Sequence, residues 1–450
     1  MSRVVVIGAG PMGLAAAHEL LLQGHDVDVV EASDDPGGMA GHFDFGGLSI
    51  ERFYHFVCRS DTPTFELLDQ LGIADKLKWK ITTMGFFFGG RLNDWGNPVA
   101  LLRLQGVSIF TKLRYGLFVA LCTHKRSWTE LENISAITWL KQWCGEKGYD
   151  TFWNALLAYK FYEYAESISA SWLWTRIKRV ASSRKNVMKE ELGYIEGGSI
   201  TLIDALMRSI KASGGRVHLS SPAERVNIQD ERVAGVQAGG RYYPAEYVIS
   251  TMPIPYVSRV IPDLPTELKQ RYDCIRSIGI CCVILKLNRS VSEHFWVNIG
   301  QGQREIPGIV EFSNLRDVGA VIVYVPYYMP STDPKFSWSD KALIDDAFGC
   351  LVELNADLVP GSLIDAKVTR LQNAQPICDI GFGTRIPPVQ TPITGLQIAD
   401  TCFYYPEDRG IAESVRLGRN MAIAIGACNT GTPHSVPLQS YIRQLDRSLK

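Results

Sequence analysis

Residues 8–13 read Gly-Ala-Gly-Pro-Met-Gly, and their flanks leave this chain few ways to begin folding. Val4 to Ile7 is a short β-branched run of the kind that forms a buried strand. Leu14 to Gln23 has helical character and stops at Gly24, Val27 to Val30 is a second strand, and Glu31 closes it. Strand, glycine turn, helix, strand and acid together form a dinucleotide fingerprint in its required context. The spacing has a chemical reason. Gly8 permits the tight turn, Gly10 lets a pyrophosphate approach the backbone, and Gly13 lets the helix pack closely on the strand. The helix N-terminus offers free N–H groups and partial positive charge. Glu31 stands where a carboxylate accepts ribose hydroxyls.

A chain of 450 residues is expected to form more than one core. With a net charge of −1, no global field recruits nucleic acid. The ten cysteines include no C-x-x-C, which fits reduced core residues and a cytoplasmic home. With only Arg3 before it and an apolar run broken by glycines, the N-terminus does not read as a signal peptide. No run is long enough to span a bilayer. Tyr115 to Cys122, flanked by Lys112, Arg114, Lys125 and Arg126, reads as a buried core helix; a helix on a membrane surface or along a lipid-like channel is the alternative. The eight His show no H-x-x-x-H pair, and neither a P-loop nor a nucleophile elbow is present, so no metal is expected.

Further along, Asp34 to Gly38 and Gly41 to Gly47 are turn-rich loops, Asp61 to Leu71 reads as a helix, and residues 76 to about 190 turn aromatic and helical. Thr201 to Lys211 and Ser339 to Leu354 are expected helices. Strands are expected at Arg216 to Leu219, Arg225 to Ile228, Val233 to Ala238, Tyr247 to Ser250, Ile280 to Leu287, Gly308 to Phe312 and Ala320 to Tyr324. A strand ends in Asp400 and a last helix runs from about Gly410 to Ala427.

The separated pieces agree. The opening fingerprint is followed by Gly37-Gly38. Later come Gly197-Gly198, Gly215-Arg216-Val217, Val248 to Pro253, Gly395 to Asp400, and Gly410-Ile411 with Ser414-Val415 and Gly418. This set resembles the flavin-containing amine oxidase superfamily, which includes protoporphyrinogen oxidases, phytoene desaturases and, more distantly, UDP-galactopyranose mutases. The resemblance implies an α/β fold: a Rossmann-like FAD-binding domain with a glutathione-reductase-type sheet, interleaved with an α+β substrate domain that contains a largely helical insertion. The FAD domain would comprise residues 1–75, 191–268 and 380–450. The substrate domain would comprise residues 76–190 and 269–379, with the insertion at about 100–190.

FAD is the implied cofactor. Gly8, Gly10, Pro11, Met12 and Gly13 would hold the pyrophosphate, and Glu31 and Ala32 the adenosine ribose. Gly37, Gly38 and Met39 would pass along the ribityl chain; relatives often carry Arg where Met39 stands. Ala223 would meet the adenine, Asp400 the pyrophosphate and ribityl hydroxyls, and Gly410 and Ile411 would open the last helix beneath the isoalloxazine ring. Amine oxidases of this group often hold a Lys near flavin N5, on the strand that Ile280 to Leu287 resembles. Ile280 or Cys281 stands there instead, which favours the other branches.

Arg52, Tyr54 and His55 are the candidate catalytic residues, since the family chain passes the flavin face after the glycine-rich loop. Candidate substrate contacts are Lys160 and Tyr164 in the aromatic insertion, Glu311 and Asn314 after a strand, Arg385 before Pro387-Pro388, and Tyr405 after Asp400. Asp408 and Arg409 are candidates to pair with each other. The expected reaction is hydride transfer from a C–H or C–N centre to flavin N5. The expected substrate is a small apolar, isoprenoid or sugar-linked molecule. With a single fingerprint, oxygen or a quinone is the expected electron acceptor. A mutase acting through reduced flavin is the alternative, suggested by Tyr54-His55-Phe56, and a binding protein resembling Rab GDP-dissociation inhibitors is a remote one. Membrane contact is not required by any of these, and a cytoplasmic protein at most peripheral to a membrane is expected.

Overall fold

The fold is that of a computed structural model, which describes residues 1–300 and 304–429. The first strand, Arg3–Ile7, is central in a five-stranded parallel sheet, ordered Arg216–His218, Asp26–Val30, Arg3–Ile7, Tyr247–Ser250, Leu396–Ile398. Its Val4, Val5 and Val6 are buried, as a strand covered on both faces requires. Helix Pro11–Leu22 packs against helix Ser199–Ala212 and the last helix, Ile411–Asn429. The crossing with the last helix is close: a Cβ on Gly418 would lie 2.2 Å from the Met12 carbonyl oxygen. An antiparallel meander of Ala223–Gln229, Arg232–Ala238 and Arg241–Pro244 adjoins this sheet.

A second, seven-stranded sheet is ordered Leu363–Pro376, Ser277–Leu287, Val321–Met329, Gly308–Glu311, Trp296–Ile299, Met84–Phe88, Arg91–Trp95. Its strand Ser277–Leu287 divides its side chains by the period of two that a strand imposes. Ile278, Ile280, Cys282 and Ile284 join the main core, whereas Cys281, Val283, Leu285 and Leu287 join a second core under helix Asp340–Leu354. Five helices, Pro98–Arg103, Ile109–His124, Ala136–Phe152, Asn154–Phe161 and Ala170–Ser182, fill the aromatic stretch. Ser108, Ser135 and Ser169 cap three of them by accepting first-turn N–H bonds.

The expected elements lie close to those observed, with several differences: in the stretch expected to be helical from residue 76, Leu77–Thr82, Met84–Phe88 and Arg91–Trp95 are strands, and the α-helices begin at Pro98. Strand Lys189–Ile195 was not expected either, and it pairs with Leu77–Thr82. The 14-residue strand Leu363–Pro376 was not expected. The Tyr115 to Cys122 stretch belongs to a two-faced helix: Phe118 and Cys122 are buried, while Leu113, Leu117 and Leu121 face solvent. Cys58, Cys122, Cys144, Cys281, Cys282, Cys350, Cys378 and Cys402 are free and buried, and Cys274 is free and exposed. No helix among the described residues is long and apolar enough to cross a membrane.

A buried ion pair ties the glycine-rich loop to the second sheet. Glu51, on the hairpin His42–Asp44/Ser49–Glu51, accepts at 3.1 Å from Arg316, and the two residues are 3% and 5% exposed. Arg316 also donates to the Ser49 carbonyl, the Ser199 N–H donates to the Glu51 carboxylate, and Tyr324 donates to the Glu51 carbonyl.

Candidate functional site

The carboxyl ends of Arg3–Ile7 and Asp26–Val30 open on a cavity of about 1010 Å³. Gly8 turns with φ +103°, and a Cβ on Gly13 would sit 1.9 Å from the Gly8 carbonyl oxygen, so only glycine allows the helix this close to the loop. Gly10 is different: an added Cβ there would meet no protein atom within 4 Å. Its N-cap position carries no side-chain cap, which leaves first-turn N–H groups for a ligand. Glu31 accepts from the N–H groups of Ala9 (2.7 Å) and Ser33 (2.9 Å), which orient its carboxylate at the cavity wall. Gly8, Gly10, Pro11, Met12, Glu31, Ala32, Gly38, Met39, Ala223, Asp400, Gly410 and Ile411 all line the cavity. Gly13 and Gly37 stand behind it, the Gly37 N–H donating to the Ala9 carbonyl.

Asp400 is half-buried and accepts from the N–H groups of Ile254 (2.9 Å) and Cys402 (2.8 Å). Burial raises its pKa, and these bonds oppose the shift. Helix Ile411–Asn429 aims its first turn at the cavity through Gly410, Ile411 and Ser414. A pyrophosphate-sized cradle over Gly10, an oriented carboxylate at each end and a second helix N-terminus form a donor set that fits an extended FAD.

The other lining residues carry functional groups of a different kind. Arg52, Tyr54 and His55 line the cavity. Arg52 also pairs with Asp35 at 3.5 Å on the surface. The Tyr54 ring meets Trp296 and Tyr324 edge-on, and burial pushes its phenol pKa up. His55 Nδ1 is buried without a partner, and burial presses the imidazole pKa down to about 4. His55 is therefore neutral at physiological pH, and in histidine-labelled protein its ring resonances are expected to show no titration above about pH 5. An inflection near the ordinary imidazole value, absent in His55→Gln, would contradict this environment.

Lys160, 3% exposed, lines the cavity with its Nζ over the rings of Trp172 (4.8 Å) and Tyr328 (5.2 Å). Arg176 pairs with Asp408 at 2.6 Å, and Arg409 donates to the Ala374 carbonyl while its buried Nε has no partner among the described residues. Asp408 thus pairs with Arg176 and takes only the backbone N–H of Arg409. Burial works against the Asp408 charge, yet Lys160, Arg176 and Arg409 hold this carboxyl well below its usual range. Burial and the Arg176 guanidinium push Lys160 well below the usual ammonium range, with Asp408 opposing. Ile280 lines the cavity, whereas Cys281 faces the second core, so strand Ser277–Leu287 offers no basic group here.

Five expected substrate contacts lie outside the cavity lining, each committed elsewhere. Glu311 clamps a loop by accepting from Ser290 Oγ and the N–H groups of Val291 and Ser292; burial raises its pKa to about 7. Asn314 donates to the Ser292 and His294 carbonyls of the same loop. Arg385 pairs with Asp379. Tyr405 donates to Glu132 and meets Ser169 Oγ at 3.0 Å. Tyr164 lies under the Arg276 guanidinium, 4.7 Å from its ring. Cavity residues not expected include Arg176, Tyr256, Arg259, Trp296, Tyr328 and the run Thr369 to Ala374. That run belongs to strand Leu363–Pro376, whose alternation of Ile364, Ala366 and Val368 with Asp365, Lys367 and Thr369 was a usable signal. Among the described residues Asp94, Glu293 and His294 bring three ligand atoms together, but none of them lines the cavity.

Residues 13–360 match the sequence profile of the family described as flavin containing amine oxidoreductase. A 15-cis-phytoene desaturase of Synechococcus elongatus is 24% identical over 318 residues, 65% of this chain and 66% of that protein. For a zeta-carotene desaturase of Solanum lycopersicum the identity is also 24%, over 63% of this chain and 54% of that protein, so this chain matches only about half to two thirds of these relatives' lengths. Two solved structures share the fold: reduced UDP-galactopyranose mutase, at TM-score 0.75 and 16% identity over 100% of this chain and 99% of that one, and a protein described as a putative protoporphyrinogen oxidase from Exiguobacterium sp. 255-15, at 0.73 and 16% over 94% and 98%.

Proposed function

The chain belongs to the flavin-containing amine oxidoreductase family, and from that premise we propose that it is an FAD-dependent oxidoreductase whose organic substrate carries a phosphate or carboxylate group. When bound, FAD supplies a hydride acceptor at N5 for a C–H or C–N centre. The chain's part is to bind, orient and exclude water. The first-turn N–H groups after Gly10 would take the pyrophosphate, Glu31 the adenosine ribose and Asp400 hydroxyls further along.

The observation that carries the substrate reading is the cation cluster in the same cavity lining. Lys160, Arg176 and Arg409 face a single carboxylate, Asp408. An ammonium substrate would meet net repulsion there, and an anion would complete the donors' bonding. Tyr54, Trp296 and Tyr328 offer ring surfaces to an apolar, isoprenoid or sugar-linked body. With one dinucleotide fingerprint, oxygen or a quinone is the proposed electron acceptor.

Purified protein given FAD is expected to keep its visible flavin band through gel filtration. Under anaerobic conditions that band should bleach with phosphate- or carboxylate-bearing substrates and not with free amines. A protein that takes up no FAD overturns the reading. Lys160→Met is expected to lower kcat/KM by roughly 30-fold or more, since a buried charge partner is worth about 2–5 kcal/mol, with FAD retention unchanged. Because the Lys160 pKa is depressed in the empty cavity, an arriving anion draws a proton onto it. Inorganic pyrophosphate should therefore bind more weakly as pH rises, by up to about tenfold per unit, and Lys160→Met should flatten that slope.

The same cluster also suits the diphosphate of a sugar nucleotide, which supports a redox-neutral mutase as the second reading. Turnover of a sugar nucleotide only after dithionite reduction would favour it; full activity of oxidised enzyme with an acceptor would exclude it. The open space over Gly10 and the oriented Glu31 argue against a cofactor-free binding protein.

A further inference from the structure

Between Pro98 and Thr129 the chain has no Asp or Glu, and it carries Arg103, Lys112, Arg114, Lys125 and Arg126. This stretch forms helices Pro98–Arg103 and Ile109–His124. The inner face of the longer helix is fully used: Phe118 packs edge-on against Trp139, and the Cys122 carbonyl accepts from the Trp174 indole. The outer face is apolar and in water. Phe110 is 81% exposed, Leu117 59%, Leu113 58% and Ile109 51%, with Leu102 of the shorter helix at 50%. Phe110, Leu113, Leu117 and Leu121 recur every three or four residues, so they form one stripe. Folding does not require this stripe, and a contiguous patch of large apolar side chains marks a docking surface.

We propose that this face docks on an anionic lipid bilayer, with the Ile109–His124 helix lying in the interface plane. Charge complementarity chooses the occupant. Arg103, Arg114 and Arg126 are exposed, and no acid within the stretch opposes them. Lys112 turns inward to the Leu102 carbonyl and Lys125 pairs with Glu130, so the attraction rests on the three arginines. A second copy docked face to face would set those arginines against their own kind. Anionic headgroups reward apolar residues flanked by cations. Trp143, 41% exposed, adjoins the stripe, its carbonyl accepting from Arg114, and its ring suits the headgroup level. At 16 residues the helix is about 24 Å long and too short to span the hydrocarbon core. The proposal holds whichever substrate the cavity takes.

The test uses the FAD-loaded protein in flotation with phosphatidylcholine vesicles, with and without phosphatidylglycerol. At least tenfold more protein should float with the anionic vesicles, and added salt should reduce it. Phe110→Ser/Leu117→Ser should lose flotation by more than tenfold while keeping the flavin band and its gel-filtration volume. Arg103→Gln/Arg126→Gln should lose the preference for anionic vesicles. Failure of the wild type to float, equal flotation of Phe110→Ser/Leu117→Ser and wild type, or a dimer that this double variant splits in the absence of any flotation would each overturn the proposal.

Discussion

Gly10→Ala is expected to give a folded protein that no longer holds FAD. A Cβ at Gly10 would meet no protein atom within 4 Å, so the fold has no reason to object beyond about 1 kcal/mol for a poorer N-cap residue. The methyl would occupy the space over the helix N-terminus that the pyrophosphate needs, and crowding there should weaken FAD by roughly 10²–10³-fold, about 3–4 kcal/mol. Gly13→Ala should behave differently, because its Cβ would fall 1.9 Å from the Gly8 carbonyl oxygen and force the loop and helix apart. It should lower the thermal unfolding midpoint of the apoprotein and lose FAD as well. Flavin absorbance after gel filtration, read beside apoprotein melting curves, separates the two. Tight FAD retention by Gly10→Ala would show that the pyrophosphate does not lie over that position.

The largest stability effect is expected from Arg316→Met. Glu51 would then keep its buried carboxylate with backbone N–H groups but no cation to pair it, and stranding one partner of a buried pair costs about 3–5 kcal/mol. The loss should depend on pH in a defined direction. Burial already raises the Glu51 pKa and Arg316 opposes the shift, so removing Arg316 raises it further. A carboxyl whose folded pKa lies above its unfolded value stabilises the protonated fold at low pH, and that contribution disappears as pH rises through the folded pKa. The deficit relative to wild type should therefore be larger at about pH 8 than at about pH 5, and Glu51→Gln in the Arg316→Met background should remove the difference. A deficit independent of pH would mean that Arg316 acts through packing alone.

The cavity wall built on the glycine turn was legible because its signals are local. A glycine turn, the helix it opens and the acid that ends the next strand lie within residues 4–31, and Asp400 and Ile411 repeat that compactness near the other end. Strand Ser277–Leu287 was legible for its apolar run, although the run could not say which face Ile280 would take. The rest of the cavity lining was not local. Tyr405 was a reasonable candidate by type, but its hydroxyl is taken by Glu132, 273 residues away, and Glu311 is consumed by a loop that no pattern marks. Arg176 was passed over because it sits on a helix whose Trp and Leu residues dominate the reading; the fold turns it toward Asp408, 232 residues later. Polar side chains report their type in a sequence, whereas their partners depend on chain closure.

The cavity takes residues from Ile7 to Ser414, and the parallel sheet receives its last strand at Leu396–Ile398. At about 5–20 residues per second, the roughly 400 residues between the two walls take about 20–80 s to synthesise. Once made, Tyr247–Ser250 lacks its outer neighbour until Leu396–Ile398 follows, and the glycine-loop helix lacks the helix that crosses it at Gly418. The full set of cavity walls therefore exists only once the chain has been made through Ser414. A nascent chain stalled before Asp400 would present half a nucleotide site to the ribosome's surroundings, with its apolar edge in the care of whatever chaperones attend it.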